Sequence, residues 1–407
     1  MIGKKLRVLC IYVSCIIVLT GLAGCNPTSS TTYTETTTPT SAITSVTTSM
    51  STTMSSTPAT TITITPITTS AILTSTTTTF LSITTYTTFT TTSPTTTIIT
   101  LDPHIGDSLM AITNGPDGNL WFTEPPFEKI GKISPVSGVV IEYNVSGYLE
   151  NLDGITAGPD GNIWFTEEEY NWKLGIIGKI SPTTGVLTEY SIPTNYAPNS
   201  ITVGPDGNLW FTVSGYYEIG NINPSTNVLT LYSFHSTSSF LNSITSSPDG
   251  NLWFTETNAN NIGKISPATG DITEYNIPSN GFPSSIVAGP DGNLWFTEFG
   301  GNKIGKISPE TDNITEYNIP NPYSDPCGIT TGPDGNLWFT EFGGNKIGKI
   351  SPAIGTIAEY NLPAAAPGIY GITAGPHGDL WFTENFGSVL GEISPETGAI
   401  IEYTVGN

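Results

Sequence analysis

The sequence predicts an all-β protein: a single seven-bladed β-propeller of four-stranded antiparallel blades, preceded by a signal peptide and a disordered Thr/Ser-rich stalk. Near-copies of Gly-Pro-Asp-Gly-Asn-Leu-Trp-Phe-Thr-Glu recur with tryptophans 43, 46, 43, 42, 43 and 43 residues apart. A unit of about 40 to 45 residues that carries several short strands has the length of a propeller blade. The seven tryptophans are Trp121, Trp164, Trp210, Trp253, Trp295, Trp338 and Trp381.

Residues 1–24 are predicted to be a lipoprotein signal peptide. Lys4, Lys5 and Arg7 precede an apolar run that ends at Leu22-Ala23-Gly24-Cys25 and is short for a membrane span. This ending resembles a bacterial lipobox, so we expect Cys25 to become the lipidated N-terminus of the mature protein. An ordinary secretory leader and an uncleaved anchor are the alternatives. Each of the three places the domain outside the cytoplasm, and lipidation would anchor it to the cell membrane or outer envelope.

Residues 25–100 are predicted to be a disordered linker that begins with the lipidated cysteine. Thr and Ser dominate this segment, and Glu35 is the only charged residue between positions 31 and 100. The tract lacks the apolar periodicity of a packed domain. O-glycosylation and a bare linker remain equal alternatives. We expect the tract to act as a stalk that holds the propeller away from the envelope.

The composition argues against nucleic acid as a partner. The formal net charge is −22, and Arg7, the only arginine, lies in the leader. Nucleic-acid binding depends on a basic surface and commonly on guanidinium groups. Cys327 is the only cysteine after position 25, so no intramolecular disulfide can stabilise the propeller. We expect a monomer.

One repeat shows why each blade should contain four strands. In the sixth repeat, a short inner strand at 328–331 leads into a turn at Gly332-Pro333-Asp334-Gly335-Asn336, where Pro and Gly favour a tight hairpin. The second strand is expected at 337–341, the third at 346–350 and the outer strand at 356–362. Alternating apolar side chains in the second strand should face both neighbouring blades.

Seven such repeats fill residues 101–407, so we expect this whole region to form one propeller. A closed ring leaves only short outer edges exposed. Residues 96–101 could add a strand to the closing blade, or they could belong to the stalk. The glutamates that end six of the second strands are expected to bond within the scaffold, with cation binding as the alternative.

The repeated Gly-Ile-Thr-x-Gly-Pro-Asp-Gly-Asn-Leu-Trp-Phe-Thr-Glu, followed by Asn-Lys-Ile-Gly-Lys-Ile-Ser and Ile-Thr-Glu-Tyr-Asn-Ile-Pro, closely resembles the virginiamycin B lyase (streptogramin B lyase) family. The resemblance covers roughly residues 105–405 and implies a seven-bladed propeller. It also implies an enzyme that opens a cyclic depsipeptide by β-elimination at its ester. In that family a histidine serves as the base, and Mg²⁺ is held by histidine and glutamate.

The resemblance identifies positions for these groups, but the histidines are not matched. The two family histidines fall on Cys327 and Tyr370, and a family glutamate falls on Gly368. A further family glutamate corresponds to Glu384 or Asn385. Among the chain's own histidines, only His235 is expected on the same face; His104 precedes the first blade, and His377 lies in a turn at the opposite face.

A single site in a repeat protein should be built from residues that differ between repeats. The position two residues before each inner-strand isoleucine varies most, and we call these seven residues the channel ring. Three of them, Asp153, Asn199 and Asn242, offer oxygen ligands from adjacent blades and are candidates for a hard metal ion. The channel ring comprises Met110, Asp153, Asn199, Asn242, Ser284, Cys327 and Tyr370.

Aromatic residues after the second strands also break the repeat on the same face. Trp172, Tyr217, Phe299 and Phe342 are the candidates for ligand contact; packing of loop against loop is the alternative. Aromatic rings beside amides and hydroxyls suit a small molecule, a carbohydrate, a peptide or a protein ligand. We therefore expect a membrane-anchored, extracytoplasmic binding protein. The alternatives are a lyase-like or other enzyme with a rearranged site, and a structural envelope protein.

Overall fold

The computed structural model describes residues 108–125, 128–145, 151–168, 175–193, 197–215, 217–234, 240–363, 368–385 and 387–405. These residues form an all-β structure of four-stranded antiparallel sheets. Within these ranges no helix is long and apolar enough to cross a bilayer. The signal peptide, Cys25, the stalk and residues 96–101 lie outside the described ranges.

The strands fall into four sets according to their place in the blade. The innermost strands are β1 (Ile112–Asn114), β5 (Asn151–Ala157), β9 (Pro198–Val203), β13 (Leu241–Ser246), β17 (Pro283–Ala288), β21 (Pro326–Thr331) and β25 (Ile369–Ala374). The second strands are β2 (Leu120–Glu124), β6 (Ile163–Glu168), β10 (Leu209–Val213), β14 (Leu252–Glu256), β18 (Leu294–Glu298), β22 (Leu337–Glu341) and β26 (Leu380–Glu384). The third strands are β3 (Lys129–Ile133), β7 (Gly175–Ile180), β11 (Glu218–Ile222), β15 (Asn261–Ile265), β19 (Lys303–Ile307), β23 (Lys346–Ile350) and β27 (Val389–Ile393). The outer strands are β4 (Val140–Asn144), β8 (Leu187–Ile192), β12 (Leu229–Ser233), β16 (Ile272–Asn276), β20 (Ile314–Asn318), β24 (Ile357–Asn361) and β28 (Ile400–Thr404).

Each blade is built from four strands that are consecutive in the chain. Neighbouring inner strands contact one another around the whole ring, including β25 against β1. The structure thus confirms the predicted seven-bladed propeller. Among the described residues no strand is exchanged between the first and last blades, so these two blades meet through side chains rather than through a shared sheet.

In blades 1 to 6 the repeated turn is held by an aspartate that accepts a hydrogen bond from the tryptophan of its own blade. In blade 6, Asp334 Oδ1 accepts from Trp338 Nε1 at 3.0 Å, and Gly335 adopts a positive φ of 74°. Burial opposes ionisation, but bonds from Trp338 and Asn336 hold the pKa of Asp334 below its ordinary value. The turn therefore satisfies the indole N–H while the ring stays buried.

Alternate side chains of each second strand pack against opposite neighbours. Leu337 and Phe339 lie in one cluster with Trp295 of blade 5, whereas Trp338 packs with Leu380 and Phe382 of blade 7. Such buried interfaces follow the predicted alternation of the sequence. Because every sheet is covered on both faces, the hydrophobic core is a series of layers between blades.

The glycine in each Lys-Ile-Gly-Lys-Ile strand makes room for the phenylalanine of the second strand. A Cβ added at Gly348 would lie 2.1 Å from the Phe339 ring, so no larger residue fits without displacement. On the other face, Tyr360 stacks on Trp338 with ring centroids 5.4 Å apart, and Lys349 Nζ lies 4.8 Å from the indole centroid. Many of the residues that recur in every repeat are therefore explained by packing within and between the blades.

Candidate functional site

The inner strands surround a central cavity of about 160 Å³ at the end of the propeller where these strands begin. Six of the seven channel-ring residues line it, and the seventh, Met110, precedes β1 at the equivalent position. The sequence prediction that these side chains come together is therefore met in the structure. The six are Asp153, Asn199, Asn242, Ser284, Cys327 and Tyr370.

A β-bulge in each inner strand, from blade 2 to blade 7, positions the channel-ring residues. In blade 6 the register with β22 shifts between Pro326 and Ile329, which places Cys327 and Gly328 in the irregular stretch. Bulges of this kind change the direction in which a side chain points. The bulge was not foreseen from the sequence, since it depends on a hydroxyl that replaces a backbone partner.

That hydroxyl belongs to the threonine of each Trp-Phe-Thr motif. Thr340 Oγ1 accepts from the Gly328 N–H at 2.8 Å and donates to the Tyr370 carbonyl of the next blade at 2.8 Å. The equivalent threonine makes the same two hydrogen bonds in every blade. In every blade the threonine hydroxyl donates to the backbone carbonyl of the channel-ring residue in the next blade. These threonines are Thr123, Thr166, Thr212, Thr255, Thr297, Thr340 and Thr383.

The wall of the cavity is polar on one side and largely apolar on the other. The polar arc consists of Asp153, Asn199, Asn242 and Ser284 from four consecutive blades. On three of these blades a serine that directly follows the channel-ring residue adds a second set of hydroxyls to the lining. The sequence shows this serine after Asn199, Asn242 and Ser284, but our sequence analysis did not single it out. The apolar side comes from blades 1, 6 and 7. The three serines are Ser200, Ser243 and Ser285, and the apolar lining includes Ala111, Ile112, Ile329 and Ile372.

Hydrogen bonds connect the members of the polar arc. Asn242 Nδ2 donates to Ser284 Oγ at 3.2 Å, and Asn199 Nδ2 lies 3.4 Å from Asn242 Oδ1. A half-turn of the Asn199 amide would let Nδ2 donate to Asp153 Oδ1 at 3.2 Å and Oδ2 at 2.5 Å. The carboxylate, two amides and hydroxyl thus form a continuous chain of oxygen-bearing groups.

Cys327 and Tyr370, the positions to which the sequence resemblance assigns the family's histidines, face the same cavity. Cys327 is 3% exposed, and Tyr370 is half-buried; neither is an imidazole. Gly368 has no side chain, and Glu384 is buried near Glu402 rather than in the cavity lining. A thiol, a phenol and a glycine do not supply the hard donors that Mg²⁺ requires, so the residues at these positions do not fit the family's magnesium site.

No group of three or more His, Cys, Asp or Glu side chains that could hold a metal occurs in the ranges that the structure describes. Amide and hydroxyl oxygens can also bind a hard metal ion. The three candidates for a hard metal ion, Asp153, Asn199 and Asn242, are adjacent in the polar arc. The structure therefore brings these three side chains together, and metal binding by them stays a prediction.

Among the described aromatic candidates, Tyr217, Phe299 and Phe342 lie outside the cavity lining. Phe299 and Phe342 follow β18 and β22 and are half-buried, with ring centroids 6.5 Å apart and planes inclined by 52°. Tyr217 is half-buried and has a positive φ of 57°. Trp172 and His235 fall outside the described residues. Phe299 and Phe342 pack against each other at the same end as the channel ring, and each stays partly exposed; ligand contact by this pair stays a prediction.

The glutamates that end the second strands are buried between blades. Ser279 Oγ donates to Glu298 Oε2, and Ser324 Oγ donates to Glu341 Oε2, each at 2.6 Å. Burial raises the pKa of both carboxyls to about 7. In blade 7, burial and the charge of Glu402 raise the pKa of Glu384 to about 8. Glu298 and Glu341 therefore bond within the scaffold, which agrees, for these two residues, with the first of the two sequence interpretations.

A family model described as the virginiamycin B lyase family matches residues 87–240 and 198–407. The chain belongs to this family. A structure described as streptogramin B lyase is 37% identical, with a TM-score of 0.65 over 71% of this chain and 94% of that chain. A catalytically inactive histidine-to-alanine variant of virginiamycin B lyase from Staphylococcus aureus, with quinupristin, is 34% identical, with a TM-score of 0.64 over 72% of this chain and 96% of that chain. No curated protein sequence matches the chain.

Within this member of the virginiamycin B lyase family, the blade scaffold is common to the repeats, whereas the channel ring varies from blade to blade. Thr340 and Thr383, which fix the ring backbone, are part of the common repeat. Cys327 and Tyr370, in contrast, occupy positions that break the repeat. His377 replaces the turn aspartate at the far end of blade 7, as expected from the sequence, and is exposed there.

Proposed function

We propose that the propeller binds an amphipathic, peptide-like ligand at the mouth of the central cavity. The observation that carries this proposal is the division of the cavity wall into a polar arc and an apolar side. A wall of this kind orients a ligand, because polar groups bind only one of its faces while the apolar side contributes area. The histidine-free positions Cys327 and Tyr370 favour binding over catalysis.

The size of the cavity limits how much of the ligand can enter. At about 160 Å³ the cavity resembles engineered protein cavities of about 150 Å³, which accommodate a molecule the size of benzene. One ring or short side chain of the ligand would therefore enter, and the rest would lie across the loops. The half-buried Phe299 and Phe342 at this end of the propeller would supply part of that outer surface.

Quinupristin is the first probe to use, since the Staphylococcus aureus relative is described with it. Isothermal titration of quinupristin into the full chain should give one site. Tyr370→Ala removes a ring from the cavity wall and should weaken binding by about tenfold or more, the usual range for truncating a buried aromatic contact. Ile354→Ala is the control, because Ile354 is 73% exposed in the turn between β23 and β24, at the opposite end of the propeller. Equal affinity of the Tyr370 variant and wild type would contradict the proposal.

A lyase with a rearranged site is the second candidate function. Family membership and the 94–96% coverage of two lyase chains support it. A base other than the family histidine would then be needed, and such a base contributes about 10²–10⁴-fold in rate. Chelator-sensitive release of a linear product from a cyclic depsipeptide would favour this candidate over binding alone.

We also propose that the protein is anchored outside the cytoplasm through acyl chains on Cys25, with residues 26–100 as a spacer. The lipobox-like Leu22-Ala23-Gly24-Cys25 supports this proposal. Two or more acyl chains are needed for stable anchoring. Cells that express the chain should show it in the membrane fraction and label it with a palmitate analogue. Cys25→Ala should abolish the label, and persistence of the label would exclude this anchor.

A further inference from the structure

The loop that enters blade 6 is held in one conformation by hydrogen bonds from its surroundings. The Asn302 side chain, from blade 5, donates to the Asn321 carbonyl at 3.0 Å and accepts from the Ser324 N–H at 2.8 Å. The Asn321 N–H donates to Glu359 Oε1 at 3.0 Å. Because the loop is tied at several points, the groups that it presents have fixed positions.

Two residues of this loop adopt the left-handed backbone region that favours glycine. Tyr323 has a φ of 62° and Asp325 a φ of 46°. Such conformations cost free energy in residues other than glycine and are found most often at binding and active sites. The Tyr323 ring does not explain the conformation by packing, since this residue is 84% exposed.

The same loop directs two oxygen atoms at one spot above Gly343. A Cβ added at this glycine would lie 2.6 Å from the Tyr323 carbonyl oxygen and 2.7 Å from Asp325 Oδ2. Gly343 is exposed, so the spot is open to solvent. Among the described residues, neither oxygen accepts a hydrogen bond or takes part in an ion pair. Burial alone raises the pKa of the half-buried Asp325 carboxyl.

The equivalent position in blade 5 shows that the scaffold does not require a carboxylate. Phe282, like Asp325, stands two residues before the channel ring and has a positive φ of 50°. Its carbonyl accepts from the Phe299 N–H at 3.2 Å, as that of Asp325 accepts from the Phe342 N–H at 3.2 Å. The Phe282 ring also covers a glycine, Gly300. Packing therefore does not explain why blade 6 has a charged group here.

The chemistry of the spot above Gly343 suits an organic cation. A carboxylate and a carbonyl accept hydrogen bonds, and an ammonium group offers three donors. The Phe342 ring follows directly on the chain before Gly343, and aromatic rings attract such cations. A metal ion would need more oxygen ligands than these two. The formal net charge of −22 favours a cationic ligand over an anionic one.

We propose that the Asp325 carboxylate and the Tyr323 carbonyl bind a protonated amine of the peptide-like ligand, such as a lysine side chain. The inference rests on the proposed function and specifies a charged group on the ligand. Asp325 lies two residues before Cys327, which lines the central cavity. A ligand with one side chain in the cavity could therefore place its amine above Gly343.

The test uses the full chain and two probes, N-acetyl-lysine methylamide and N-acetyl-norleucine methylamide, which differ only in the ammonium group. Saturation-transfer difference NMR gives the affinity for each. We expect the lysine compound to bind about tenfold more tightly, because hydrogen bonds to a charged group are stronger than neutral ones. Asp325→Asn should remove this preference while keeping the loop, since asparagine tolerates the left-handed region.

Gly343→Ala is a second, independent variant. Its methyl group would occupy the spot between the two oxygens and should also remove the preference. Gly300→Ala is the matched control in blade 5, where a phenyl ring stands in place of the carboxylate. Asp271→Asn controls for the loss of one charge, because Asp271 lies in an exposed turn between β15 and β16. Both controls should bind as wild type does, and circular dichroism shows whether each variant is folded.

Equal affinity of the two probes for wild type would overturn the inference, as would a preference for the lysine compound that persists in both Asp325→Asn and Gly343→Ala. Quinupristin is titrated separately. If quinupristin binds through Tyr370 while the two probes bind equally, only the amine site is contradicted. If the lysine compound binds through Asp325 while quinupristin does not bind, the amine site is supported and the proposed binding of quinupristin at the cavity fails.

Discussion

The hydroxyl of Thr383 in blade 7 donates to the carbonyl oxygen of Met110 in blade 1 at 2.6 Å. The same hydroxyl accepts from the Gly371 N–H at 2.8 Å. This is the threonine bond found between all neighbouring blades, here repeated where the two ends of the propeller meet. Around it, Leu109 and Phe122 of the first repeat form a cluster with Trp381 of the last. Among the described residues, the ring is therefore closed by the same contacts that join its internal blades.

Thr383→Val should lower the stability of the propeller. The isosteric change removes both hydroxyl bonds and leaves the Met110 carbonyl and the Gly371 N–H with one partner fewer, at a cost of about 1–3 kcal/mol. Thermal unfolding of the variant should shift down by several degrees, at roughly 2–4 °C per kcal/mol for a domain of this size. Thr340→Val is the matched control for an internal interface and should cost a similar amount. An unchanged melting temperature in both would show that the threonine bonds are not stabilising.

The stability of the propeller should be greatest at mildly acidic pH. Although burial opposes ionisation, hydrogen bonds lower the pKa values of Asp117, Asp160, Asp249 and Asp334. These aspartates therefore stabilise the folded state above their ordinary pKa of 3.8, and this stabilisation is lost as the pH falls through their lower folded pKa values. Burial raises the pKa of Glu298 and Glu341 to about 7 and that of Glu384 to about 8. Their contribution is present below an ordinary value of 4.5 and is lost as the pH rises through 7 to 8.

Melting temperatures measured from pH 3 to pH 9 should therefore pass through a maximum between about pH 4 and pH 5.5. The protein binds more protons when folded than when unfolded on the alkaline side of this maximum, so its stability decreases there as the pH rises. A melting temperature that rises steadily from pH 5 to pH 8 would contradict the assignment of the buried glutamates.

Glu384→Gln should stabilise the propeller at pH 8. In blade 6, Lys346 Nζ lies 3.2 Å from Glu359, but Val389 takes the lysine position in blade 7, beside Glu384 and Glu402. The neutral amide removes the cost of a buried charge, which we expect to be on the order of 1–2 kcal/mol. The gain should disappear at pH 5, where the native carboxyl is protonated. Glu341→Gln should gain less, because Ser324 and Lys346 already offset its charge. A larger gain in blade 6 than in blade 7 would contradict this explanation.

The sequence predicted the blades well because each local feature agrees with its neighbours. The Gly332–Asn336 turn and the strand 337–341 occur where expected, and the alternation of Leu337 and Trp338 between interfaces follows from strand geometry. Aligning the repeats also located the channel ring. The backbone conformation at the ring was not predicted, because the bulge at Cys327 depends on the Thr340 hydroxyl, which accepts from the Gly328 N–H in place of a backbone carbonyl.

The contacts between loops could not be predicted from the sequence. Ser324 covers Glu341 and the Asn302 amide oxygen accepts from the Ser324 N–H at 2.8 Å, so residues from different blades decide which side chains are exposed. Phe299 and Phe342 are likewise 43 positions apart and meet only because their blades are adjacent. No periodic pattern within one repeat predicts such pairings, because they depend on which loops of adjacent blades meet.

The most direct test of the central claim is to incubate the purified propeller with quinupristin and Mg²⁺, and to follow both bound and free compound by liquid chromatography with tandem mass spectrometry, which separates the cyclic compound from a linear isomer. With Cys327 and Tyr370 at the positions of the family histidines, we predict that the compound binds and is recovered intact. Recovery of a ring-opened product of unchanged mass, absent from a sample without protein and abolished by EDTA, would contradict the claim and show that the family's lyase activity persists.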